Sequence, residues 1–114
     1  MDSLEKILIP LLDDDIAPRF DLVQEVAIVM VNGDREVIER KILVLAEASA
    51  ENLCQLILNE KVDTVICCGI EEEYYQYLIW KKVKVLDFLT GSFEAALAHL
   101  GKNPEPGLEI FLDA

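Results

Sequence analysis

VDTVICCGIEEEYYQYLIWKKVKVLDFL, residues 62–89, is the stretch on which the fold turns. Two compact apolar runs, 62–70 and 83–89, stand on either side of a charged and aromatic segment. Compact, mainly apolar runs of this length suit strands covered on both faces, as in a parallel sheet. The segment between them, 71–82, opens with Glu71, Glu72 and Glu73 and closes with Lys81 and Lys82. Acids first and bases last is the order that the helix dipole favours. The stretch therefore predicts strand, helix, strand, which implies a parallel pair joined by a right-handed crossover.

Outward from this unit the pattern extends in both directions. Upstream, Leu53, Leu56 and Ile57 recur at helical spacing behind Ser49, a good N-cap, and predict a helix to about Lys61. Downstream, Gly91 and Ser92 lead into FEAALAHL, where Phe93, Ala96, Leu97 and Leu100 form an apolar stripe stopped by Gly101. The first half reads differently. KILIPLL, residues 6–12, is a short apolar run predicted as a strand, with Pro10 an irregular point in its pairing. Residues 23–31 and 35–45 flank Asn32-Gly33-Asp34, which predicts a hairpin with positive φ at a tight turn. The charges of the second arm, Arg35, Glu36, Glu39, Arg40 and Lys41, mark it as the edge strand. The order is β, ββ hairpin, α, β, α, β, α, and it predicts a three-layer α/β domain: a five-stranded mixed sheet with helices on both faces. That domain spans residues 1–101, and residues 102–114 form a C-terminal tail in which Leu108, Ile110 and Leu112 alternate with acids, as in an extra strand or a docking segment.

Composition narrows the functional classes. The chain has 114 residues, the size of one domain, and carries 22 acids against 10 Lys and Arg, a net charge of −12. That field repels phosphate backbones and anionic lipid, so neither a nucleic acid nor a membrane is the expected partner. No segment reaches the roughly 18 apolar residues of a bilayer span, and Met1–Lys6 lacks the basic region of a secretory signal, so a cytoplasmic location is expected. Three cysteines, Cys54, Cys67 and Cys68, are too few and too irregular for a disulfide scaffold or a structural zinc site.

Candidate sites gather where ligands meet α/β sheets, beyond the carboxyl ends of parallel strands. If strand 6–12 neighbours strand 62–70, the loop 13–22, DDDIAPRFDL, lies beside Cys68, Gly69 and the turn at 71–73. Asp13, Asp14, Asp15, Glu71, Glu72, Glu73 and Asp87 could then converge on a divalent cation, although helix starts and strand ends account for the same acids. Cys67 and Cys68 are neighbours on a strand and must face opposite ways, which leaves Cys68, nearer the strand end, as the functional candidate. His99, the only histidine, falls on the last helix away from this rim. Tyr74, Tyr75, Tyr77 and Trp80 divide between core packing and an exposed interface. No phosphate loop, nucleophile triad or HExxH motif is present.

With these elements in place the chain resembles the nitrogenase iron-molybdenum cofactor biosynthesis family, small ribonuclease H-like domains of the NifX type. The likeness spans roughly residues 6–101: KILIPLL, the loop with IAPRF, DLVQEVAIVMV and its hairpin, ENLCQLILNEKVDTVICCGI, and KVKVLDFLTGSFEAALAHL. It implies a ribonuclease H-like topology and a non-catalytic protein that binds or carries an iron-sulfur or iron-molybdenum cluster, or another small anion, near the loop. Members read Ser-x-His-Phe-Gly there; Phe20 matches the phenylalanine, Arg19 stands at the histidine and Asp21 at the glycine. The resemblance thus points to Arg19 as a source of charge, Phe20 as an apolar wall, and Cys68 and Gly69 as the facing turn. Two other readings stand beside it: an interaction module without a ligand site, which engages a protein partner or a second copy through the aromatic helix or the tail, and a carboxylate-metal hydrolase.

Overall fold

A computed structural model describes residues 4–34 and 36–102. Six strands and three helices follow one another as β1 (Glu5–Leu12), β2 (Asp15–Ile16), β3 (Glu25–Val31), β4 (Val37–Val44), α1 (Ala50–Asn59), β5 (Thr64–Ile66), α2 (Glu72–Trp80), β6 (Lys84–Leu86) and α3 (Phe93–Lys102). They form one mixed sheet in the order β4-β3-β1-β5-β6, with the two-residue β2 attached to β1. β1 pairs antiparallel with β3 and parallel with β5, and β5 pairs parallel with β6. β4 is the edge strand that its charges predict. The expectation for residues 108–112 lies outside the described residues.

Alternation along the strands divides the core in two. Leu8, Val26, Ile28 and Val65 point to the face covered by Leu53 and Ile57 of α1 and Leu78 of α2. Ile7, Ile9, Ala27, Val29 and Ile66 point to the other face, covered by Phe93, Ala96 and Leu97 of α3. Helices therefore lie on both faces. Because the central strands are sandwiched, they read as unbroken apolar runs, whereas β4, with Glu39, Arg40, Lys41 and Ile42 exposed, does not.

Local chemistry sets the boundaries of these elements. Ser49 Oγ accepts from Asn52 N–H at 3.0 Å and starts α1. α1 and α2 both end on a lysine in the left-handed region, Lys61 at φ 58° and Lys82 at φ 71°. The N–H groups of Val62 and Val83 then return to the carbonyls of Ile57 and Leu78 at 3.0 and 2.9 Å, which closes each helix without a glycine. The β3–β4 connection is looser than the Asn-Gly pair predicts. Neither Asn32 nor Gly33 has a positive φ. Instead Asn32 Oδ1 accepts from Asp34 N–H at 3.0 Å and Glu36 N–H at 2.9 Å, so the side chain closes the turn over residues 32–36.

Candidate functional site

The site is built where β1 changes partners. Its parallel pairing with β5 ends at Leu8↔Val65, yet β1 runs on to Leu12 while still paired with β3. A forked gap opens at the carboxyl end of β5, the position where open α/β sheets bind ligands. Pro10 lies beside this gap and is buried. Its carbonyl accepts from Ala17 N–H at 2.8 Å. In an extended strand a residue's nitrogen and carbonyl share one edge. The nitrogen of Pro10 therefore faces the gap, where β5 has already stopped, and the β3 ladder loses no donor. This explains a proline inside a central strand.

Loop 13–22 fills the gap by stitching itself to three elements. Asp13, at φ 56°, and Asp14 turn the chain so that Asp15 pairs with Leu12. Asp is among the few residues that enter the left-handed region readily, so two of the three aspartates in the run make a turn. Next, Phe93 N–H donates to Asp14 carbonyl at 2.8 Å and Ile16 N–H to Gly91 carbonyl at 2.9 Å, which ties the loop to the start of α3. Finally, Gly69 N–H donates to Pro18 carbonyl at 2.9 Å and Phe20 N–H to Gly69 carbonyl at 2.7 Å. A Cβ on residue 69 would stand 2.8 Å from the Pro18 carbonyl oxygen. Only glycine allows that approach.

The backbone thus brings together all four residues singled out from the sequence, but their side chains diverge. Phe20 is 1% exposed and belongs to the core beneath α1 and α2. It supports the loop from below and does not line a pocket wall, because the 3-10 turn Phe20–Leu22 directs its ring inward. Cys68 packs on the opposite face, against the α3-side core, and is half-buried. Gly69 contributes backbone alone. Arg19 is the one charged side chain of the four, and its side chain is 59% exposed. Its Nε and Nη2 donate to both carboxylate oxygens of Asp21 at 3.0 and 2.7 Å. This bidentate pair holds Asp21 below the usual carboxylate range and raises Arg19 above its own.

Beside Arg19 lies an open cleft of about 550 Å³, bordered by Leu12, Pro18, Leu22, Gln24 and Val44 and also by the carboxylate residues Asp13 and Glu25. Leu12, Leu22 and Val44 are 57%, 62% and 71% exposed, an apolar rim around one guanidinium. The sequence reading missed this rim, although Leu22 beside Asp21 in a polar loop was a visible signal. It also missed Phe88, which is 73% exposed at φ 63° and donates its N–H to Cys68 carbonyl at 2.9 Å. Nothing in the sequence marks that conformation.

Neither Cys67 nor Cys54 is poised for thiolate chemistry. Burial, with a smaller contribution from Asp87, pushes the Cys67 thiol up to about 12, and burial with help from Glu51 pushes Cys54 to about 11. Among the described residues no group of three or more His, Cys, Asp or Glu side chains is placed to hold a metal ion. The acids at 13–15, 71–73 and 87 therefore make no such group there; Asp13 and Asp14 make a turn, and Glu71, Glu72 and Glu73 open α2.

No family model matches the chain, and no curated protein does. Solved structures do. The crystal structure of PH0822 superposes with a TM-score of 0.75 at 16% identity, over 82% of this chain and 87% of that one. A protein of Methanocaldococcus jannaschii, MJ0327, provisionally described as a dinitrogenase, matches twice. Its crystal structure gives a TM-score of 0.59 at 28% identity, covering 72% of this chain and 73% of its own. Its solution structure gives 0.66 at 25% identity, covering 84% of each chain. A Thermotoga protein, TM1290, provisionally described as a NifB protein, gives 0.61 at 17% identity over 87% and 89% of the two chains. The fold is thus shared with proteins provisionally described as a dinitrogenase and a NifB protein. Among the described residues no helix is long and apolar enough to cross a membrane.

Proposed function

We propose that this chain is a non-catalytic binding or carrier protein of the nitrogenase-cofactor type, whose cargo is a metallocluster or another small anion taken at the cleft beside Arg19, where loop 13–22 meets the ends of β1, β3 and β4. The order β4-β3-β1-β5-β6 is read here as ribonuclease H-like. The observation that carries the proposal is the placement of Arg19: an exposed guanidinium, the one base lining a cleft that combines apolar side chains with Asp13 and Glu25, next to the partner switch of a sheet similar to that of MJ0327. A guanidinium offers an anion a planar fork of donors. Cys68 and Gly69 sit at the facing turn.

The donor set fits an anion better than a ligated cluster. Cys68 is the one thiol at the rim with any exposure, its side chain lies on the sheet face opposite Phe20, and no further ligands gather around it among the described residues. A cluster would then be held as cargo through its negative surface, with Arg19 exchanging Asp21 for it. Anaerobic incubation with iron and sulfide, with purified cofactor, or with molybdate as a simple anion tests this. The expected result is iron or molybdate that elutes with the protein and is lost from Arg19→Ala; a colourless, anion-free protein under all three conditions would defeat the proposal.

A second reading has its own support. Trp80 is 71% and Ile79 42% exposed on α2, an aromatic and aliphatic surface suited to a protein partner.

A further inference from the structure

A groove of about 370 Å³ runs between α1 and α2, shares no lining residue with the cleft at Arg19, and is lined by Glu51, Cys54, Gln55, Glu73, Tyr74 and Tyr77. Its walls combine two kinds of cation-binding group. Glu51 and Glu73 stand in the first turns of the two helices, so each helix contributes a carboxylate. Tyr74 and Tyr77 supply rings, and Tyr74 Oη donates to Glu51 Oε2 at 2.8 Å, which fixes that carboxylate without neutralising it. Among the described residues no lysine or arginine lines the groove. The ion pairs among the described residues engage Glu60, Asp21 and Glu94, leaving Glu51 and Glu73 without a cation there.

The neighbouring rings already take one. Lys81 Nζ lies 4.7 Å from the Trp80 ring centroid and 5.8 Å from that of Tyr77. Tyr77 and Trp80 are themselves 6.2 Å apart and tilted by 50°. The helix surface therefore presents π faces to positive charge next to a groove that supplies negative charge.

We propose that this groove binds an arginine side chain presented by a basic segment of a partner protein. Charge complementarity selects the sign, since the protein carries −12 and, among the described residues, the groove lining itself holds no base, Lys81 lying 5.8 Å from the Tyr77 ring outside that lining. Its size admits a side chain and not a globular surface. The pairing of carboxylate with ring selects arginine over lysine, because a planar guanidinium stacks on tyrosine while its edge donors reach a carboxylate. This binding is independent of the rim, and loss of Arg19 leaves it intact.

The test uses a capped tetra-arginine peptide and its tetra-lysine counterpart, titrated into the full chain at physiological salt, with chemical shifts of Tyr74 and Tyr77 as the readout. The double variant Glu51→Gln with Glu73→Gln removes the groove carboxylates. The control Glu39→Gln with Glu47→Gln removes the same charge from exposed positions elsewhere. Expected is a loss of roughly tenfold or more for the groove variant and less than about twofold for the control. Tyr77→Leu, which keeps every charge, weakens the arginine peptide more than the lysine peptide. Equal losses in groove and control variants would show a long-range field and no site, and shifts absent from Tyr74 and Tyr77 would overturn the proposal outright.

Discussion

The carbonyl of Gly69 accepts the N–H of Phe20 at 2.7 Å, so the segment that follows β5 and the middle of a long loop are held as one piece of backbone. Gly69 N–H completes the link through the Pro18 carbonyl at 2.9 Å. Gly69→Ala puts a methyl 2.8 Å from that carbonyl oxygen, a backbone atom that cannot swing aside. Overpacking of this kind costs about 1–3 kcal/mol. The variant should melt roughly 5–15 °C lower by differential scanning calorimetry; an unchanged midpoint would show that the loop is not locked to β5.

Phe20 distinguishes support from recognition. With its ring 1% exposed, Phe20→Ala should cost about 3–5 kcal/mol in urea unfolding. Phe20→Leu, which keeps most of the volume, should lose much less stability and retain anion binding. A stable Phe20→Ala protein with binding alone abolished would return the ring to the pocket.

Asp21 competes for the guanidinium that the proposed anion needs. Asp21→Asn removes the competitor and should tighten molybdate roughly three- to tenfold at neutral pH. In the parent protein the carboxyl of Asp21 is held below its ordinary range by the hydrogen bond from Arg19. The pair is therefore complete above the ordinary carboxylate range and is lost as pH falls through the lowered value. Anion affinity measured by calorimetry should rise on the acid side only below that range, and in Asp21→Asn this rise should vanish.

The three thiols should separate by reactivity. Cys68 is half-buried, while Cys54 and Cys67 are buried with values near 11 and 12. One thiol per chain should react with a disulfide reagent in the native state and three after denaturation; Cys68→Ala should abolish the fast reaction. Because folding raises the buried thiols above their unfolded value near 9, their contribution to stability is complete below pH 9. It is lost as pH rises towards 11 and 12, since the unfolded chain ionises first. Urea midpoints should therefore fall between pH 9 and 11, less steeply in Cys67→Ala.

The parts of this fold that announce themselves are those in which one-dimensional pattern and burial agree. Runs 62–70 and 83–89 around an acid-to-base segment read as strand, helix, strand, and β5, α2 and β6 lie inside those bounds. The charges at 39–41 reveal the edge because a central strand could not solvate them. What escapes is set by contacts distant in sequence. Strand β5 stops at Ile66, before the end of the apolar run that includes Cys67 and Cys68, where its ladder with β6 has its last register pair at Leu86. Asn32 closes its turn through a side-chain oxygen instead of a left-handed backbone, a choice the dipeptide Asn-Gly does not disclose. At the site, neighbours along the chain are legible and directions are not: residues 19, 20, 68 and 69 meet, yet the pleat sends Phe20 and Cys68 to opposite sides.

Pro10 gives the forked sheet a permanence that its loop could not supply. A ring nitrogen cannot recruit a new partner, so β5 has no means of zipping further along β1 even when residues 13–22 are exchanged. Variation in that connector can retune what is bound while the opening itself persists, and Pro10→Val would restore the donor whose absence keeps the two strands apart.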